Sequence, residues 1–123
     1  MSMNKREQAH TERDLIAALT TACETAKAQI PGFQWLTHQL DFAAFPASLV
    51  VVWVFDTQAS KDRALAQGLS ARMVELTAEA LAETAISLDA VARHVHFDSE
   101  EQCARINAGN WLQRLARLRP SRG

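Results

Sequence analysis

The sequence predicts an α+β fold: a three-stranded mixed sheet, strand order 1-2-3, in an α-β-β-α-β-α-α chain with two long helices packed on one face. Three observations carry this expectation. First, apolar residues recur at helical spacing from about Thr11 to Gln29 and again from Leu69 to about Thr84. Second, Ser48 to Phe55 is a valine-rich run apolar on both sides, as a central strand must be. Third, the stretch Arg93 to Leu118, RHVHFDSEEQCARINAGNWLQRLARL, reads in order as strand, cap, helix, turn and second helix.

In the first helix Leu15, Leu19, Ala22, Cys23 and Ala26 point inward, while Glu12, Arg13, Glu24 and Lys27 fall on the other side. Ile30-Pro31-Gly32 ends it, because a residue before proline avoids the helical region and glycine permits the turn. Phe33 to Leu40 alternates as the first strand. A loop containing Phe45-Pro46 leads to the second, and so short a connection pairs the two antiparallel. Between Asp56 and Gly68, Ser60 is a candidate cap for a short helix. Gly68 would cost about 1 kcal/mol inside one long helix, so a break is expected there. Leu69, Met73, Leu76 and Ala80 then form the stripe of the second main helix, supported by Leu65 before the break. This helical crossover makes the third strand parallel to the second, with right-handed connection.

Ile86 to Ala90 turns the chain into that strand, where Val95 and Phe97 alternate with His94 and His96. Asp98 or Ser99 can cap the next helix, with Glu101 or Gln102 completing a capping box. The helix should begin near Glu100, turn Cys103, Ala104 and Ile106 inward, and end at Ala108-Gly109. Asn110 caps again, Trp111, Leu115 and Leu118 share one face, and Pro120 marks the stop. Strict alternation places Trp35, Leu49, Val51, Trp53, Phe55, Val95 and Phe97 under the two long helices. Leu36, Leu40, Val50, Val52 and Val54 then point the other way.

At 123 residues the chain fits one α+β domain, 1–123, that buries about two thirds of its unfolded surface without staples. Cys23 and Cys103 lie in helical patterns with neither a C-x-x-C motif nor zinc-type spacing, so they read as small apolar residues. The charged start, MSMNKREQAHTERD, lacks a signal-type apolar region, and no run of eighteen apolar residues occurs, so a cytoplasmic location without membrane insertion is expected. A formal charge of −1 gives no global attraction to nucleic acid. The tail from Trp111 nevertheless carries Arg114, Arg117, Arg119 and Arg122 with no acidic residue.

The second sheet face is the first candidate for function. Helices on one side alone would leave Leu36, Leu40, Val50, Val52 and Val54 in water, and such apolar patches mark contacts. Either the last helix covers them through Trp111, Leu115 and Leu118, or a second copy does so in a twofold dimer. His38, His94 and His96 form a second candidate, three imidazoles on one strand face that could ligate a metal, although no fourth ligand is evident. Glu75, Glu79 and Glu83 make an acidic helical row that Arg72 can relieve. The two final helices also suit a helix-turn-helix reading, whose recognition helix would carry Gln113, Arg114, Arg117 and Arg119. The scattered glycines make no phosphate-cradling loop, no G-x-S-x-G and no dinucleotide fingerprint.

The segments PGFQWLTHQLDFAAFPASLVVVWVF and FDSEEQCARINAGNW resemble a small family of uncharacterised bacterial proteins of about this length, some labelled Fis-like transcriptional regulators. The resemblance spans most of the chain. It implies a regulator-like role and brings no catalytic or binding residue with it. The sequence thus leads to a non-catalytic cytosolic interaction or regulatory module without a cofactor, with a homodimer through the valine-rich face and cover of that face by the last helix both open. Nucleic-acid binding by the basic C-terminal helix and metal binding by the strand histidines stay open as alternatives.

Overall fold

A computed structural model describes residues 3–118. Helix α1, Lys5–Gln29, starts six residues before the apolar period does. Its beginning is set by a capping box: the Asn4 side chain accepts the Glu7 N–H at 2.8 Å, and the Glu7 carboxylate accepts the Asn4 N–H at 3.0 Å. After Ile30 the chain turns at Gly32, whose φ of +83° suits glycine. A Cβ there would also lie 2.5 Å from that of Ser60, so the close approach of the two segments needs the glycine twice over.

The sheet has strand order β1-β2-β3 and the predicted mixed topology. Strand β1, Phe33–Gln39, pairs antiparallel with β2, Val50–Phe55, and β2 pairs parallel with β3, Val95–Ser99. All six residues of β2 are buried, as its two-sided apolar run requires. Helix α2, Gln58–Ala66, is capped by Thr57 rather than Ser60, the Thr57 hydroxyl accepting the Ser60 N–H at 3.0 Å. The predicted break falls at Gly68, φ +78°, and α3 follows as Ser70–Glu83. A 3-10 turn, Val91–His94, enters β3. Helix α4, Glu100–Asn107, is capped by Ser99 and ends in two left-handed residues, Ala108 and Gly109. Asn110 caps α5, Trp111–Ala116. No helix among the described residues is long and apolar enough to cross a membrane.

The main core lies between the sheet and α1, α2 and α3. It contains Leu15, Leu19 and Ala22 from α1, Met73, Leu76 and Leu81 from α3, and Leu49, Val51, Trp53 and Phe55 along the central strand. Trp53 is fully buried and donates its indole N–H to the Thr77 hydroxyl, which in turn donates to the Met73 carbonyl.

The side chains of β1 differ from the expected alternation. The register slips between Phe33 and Trp35, so that Phe33 opposes Phe55 but Trp35 opposes Val54. One extra residue in an antiparallel strand inverts the phase of everything after it. Leu36 and Leu40 therefore pack into the main core, while Trp35 faces the opposite side, against Val50, Val52 and Val54. A second difference concerns α4. Cys103 is buried, but Ala104 and Ile106 are exposed, because two turns of helix against β3 and α5 offer only a narrow inward strip.

Candidate functional site

Helix α5 covers the second sheet face. Val50, Val52 and Val54 pack against Trp35, Trp111, Leu115 and Leu118, with the two indoles edge-on and their ring centroids 4.9 Å apart. Polar ties hold the cover in place. Trp35 donates its N–H to Glu100, and the Gln39 side-chain amide donates to the Leu115 carbonyl at 2.8 Å.

At the end of this face Asp98 and Arg114 form a buried, two-pronged ion pair, with Arg114 Nε and Nη2 donating at 2.6 and 2.8 Å. The remaining Arg114 nitrogen, Nη1, reaches Asn107 at 3.0 Å, and Arg117 adds a weaker contact to Asp98 at 3.4 Å. The Ser99 N–H donates to Asp98 as well. Burial by itself would raise the Asp98 carboxyl. The hydrogen bonds from Arg114 and Ser99 and the two guanidinium charges outweigh it, and the carboxyl titrates below its ordinary value. Arg114 is held charged chiefly by its hydrogen bonds to Asp98. Burial pushes the neighbouring Cys103 thiol up, away from the reactive thiolate.

These placements correct several expectations. Arg114 is an internal partner of Asp98 and unavailable to phosphate, so the helix-turn-helix reading loses its central cation. Its helix instead packs on its own sheet because Trp111, Leu115 and Leu118 need burial. Gln113 and Arg117 are exposed, and Arg119 lies outside the described residues. Of the two covers expected for Val50, Val52 and Val54, the last helix rather than a second copy is the one found, and Leu36 and Leu40 are on the other side of the sheet.

The three histidines do not converge. His38 opposes Val51 on the face of the long helices and its Nε2 pairs with Glu12 at 2.8 Å. His96 opposes Val52 on the α5 face, and His94 belongs to the 3-10 turn, where its Nδ1 meets the Leu49 carbonyl at 2.7 Å. The phase shift in β1 puts His38 and His96 on opposite faces of the sheet. Among the described residues no group of three or more His, Cys, Asp or Glu side chains could hold a metal ion. Burial, then the charges of His94 and Arg117, lower the pKa of His96 below 6.5. Two members of the acidic row are relieved by one cation: Arg72 bonds Glu75, lies 3.8 Å from Glu79 and donates to Gln29 of α1, while Glu83 is exposed.

An open groove lies between α1 and β1. It has a volume of about 280 Å³ and is lined by Ile16, Leu19, Thr20 and Cys23 of α1 and by Leu36 and His38 of β1, among others. Ile16, 49% exposed, adds aliphatic surface to this groove. β1 is an edge strand, so its outer backbone groups have no strand partner. Sequence reasoning passed over this place. Its one signal was an isoleucine on the flank of α1 that the stripe Leu15, Leu19, Ala22, Ala26 leaves outside.

Comparisons with protein-family models, curated proteins and solved structures find no match to this chain.

Proposed function

We propose that this chain is a non-catalytic cytosolic interaction module that binds a protein partner through the groove between α1 and the edge of β1. The observation that carries the reading is the half-exposed Ile16 set beside an open strand edge, apolar surface and unpaired backbone in one place. The reactive groups are engaged in the fold: Asp98 with Arg114, His94 with a backbone carbonyl and, in the groove itself, His38 with Glu12. Nucleic-acid recognition has weaker support, since only Arg117 of the two described arginines in the basic helix is exposed.

A photo-crosslinking residue placed at Thr20, in the groove, tests the reading in cells that express the chain natively. A discrete protein adduct is expected at Thr20 and none at Glu83, which is exposed on α3. Equal labelling at both positions, or none at Thr20, would refute a binding role for the groove.

A further inference from the structure

We infer that the partner seated on this surface is a second copy of the chain, joined by antiparallel pairing of β1 with β1 and of α1 with α1 about one twofold axis. The inference rests on the groove as the binding surface and names its occupant.

The edge strand comes first. β1, Phe-Gln-Trp-Leu-Thr-His-Gln, contains no lysine, arginine, acidic residue or proline, the usual devices that stop one sheet edge from adding to another. Its single irregularity, the bulge, is confined to the start of the strand between Phe33 and Trp35. Trp35 through Gln39 stay in regular register with β2 and offer a straight outer edge.

The flank of α1 above that edge is complementary to itself in reverse. Arg13, Ala17, Thr20 and Glu24 are all exposed and follow one another at intervals of four, three and four residues, the same in both directions. An antiparallel copy would place Arg13 opposite Glu24 of the second chain, Ala17 opposite Thr20 and Ile16 opposite Thr21. Each Arg13–Glu24 contact then occurs twice, as a twofold interface demands. Neither residue has an ion pair among the described residues. Between the charges the surface can be dried at little cost. Thr20 and Thr21 donate their hydroxyls to the Ile16 and Ala17 carbonyls of their own helix, so their polar atoms are satisfied before any partner arrives.

The two patterns must share an axis, and the groove brings their centres together. The reversal point of the α1 pattern lies between Ala18 and Leu19, and the middle of β1 is Leu36. Leu19 and Leu36 line the same groove. One rotation can therefore pair both strands and both helices, extending the three-stranded sheet to six strands.

Sedimentation equilibrium of the purified chain, combined with charge reversal, tests the inference. Wild-type protein should sediment at twice its 13.6 kDa mass at tens of micromolar. Arg13→Glu or Glu24→Arg alone, placing like charges opposite each other at both ends, should raise the dissociation constant by about tenfold or more. Combining them restores opposite charges and should return the constant to within about threefold of wild type. Circular dichroism checks that each variant keeps the helix. Ile16→Lys, which puts an ammonium in the groove, should yield monomer. The proposal is overturned by a wild-type monomer at several hundred micromolar, or by a dimer indifferent to the single reversals or not rescued by their combination. The Thr20 crosslink separates the two levels: a homodimer-sized adduct supports the second copy, whereas an adduct of another mass keeps the interaction module and rejects self-association.

Discussion

The two faces of the sheet are covered in different ways, although the same central strand serves both. On one side β2 contributes Val51, Trp53 and Phe55 to a core that also draws on α1, α2 and α3. On the other, Val50, Val52 and Val54 meet four partly buried side chains, three of them on or just past a six-residue helix. A helix so short is not stable alone. Burial of Trp111, Leu115 and Leu118 holds it on the sheet, and the Asp98–Arg114 pair and a few polar ties fix its orientation. Damage should accordingly spread differently: through the whole molecule from the first face, through α5 from the second.

Trp53→Ala provides the largest contrast. It removes an indole buried among both long helices and should cost about 3–5 kcal/mol in chemical denaturation. A loss below about 1 kcal/mol would show that this face is not the stability centre. The ion pair sharpens the other half. Asp98→Ala leaves Arg114 buried without its carboxylate and should cost about 3 kcal/mol. Replacing both, Asp98→Leu with Arg114→Met, should recover most of it, as buried pairs exchanged for apolar groups of similar volume often do. Amide hydrogen exchange should report faster opening of α5 than of α3 in the single mutant. Uniform acceleration across both helices would abolish the distinction between the faces.

The smallest effect concerns pH and belongs to the α5 face alone. His96 has a folded pKa below 6.5, so the unfolded chain binds its proton first and stability falls as pH drops below 6.5 toward the folded value. Asp98 behaves as a depressed carboxyl: its contribution is present above the unfolded value of 3.8 and disappears as pH falls through the lower folded value. Thermal unfolding between pH 7 and 5 should therefore slope downward in the wild type and be flatter in His96→Gln. Identical slopes would exclude His96 as the source.

The helices were legible because their causes are local, and so were the caps of α4 and α5, whereas the Asn4 cap of α1 and the Thr57 cap of α2 were missed. Ser99 and Asn110 cap where Gln102 and Gln113 follow three residues on, and Gly68 interrupts one apolar stripe. The candidate site was read less well, and β1 accounts for most of the difference. Alternation assigns Trp35 and His38 to faces by counting, and one bulge near Phe33 reverses both assignments together with those of Leu36 and Leu40. Nothing in the residue types Phe-Gln-Trp marks a bulge. The role of Arg114 was hidden for a similar reason, because its partner Asp98 is sixteen residues away and looked like a helix cap.

By itself the sequence determined the order of elements, the sheet order and the two-sided burial of β2, since helical period, capping residues and a valine run act over one or two turns of chain. Only the tertiary structure decided which side chains share a face, that α5 rather than a second sheet covers Val50, Val52 and Val54, and that Ile16 stands beside an open edge. Those outcomes depend on strand register and on contacts between distant segments. A one-residue slip, cheap in local energy, moves every later side chain of a strand to the opposite face.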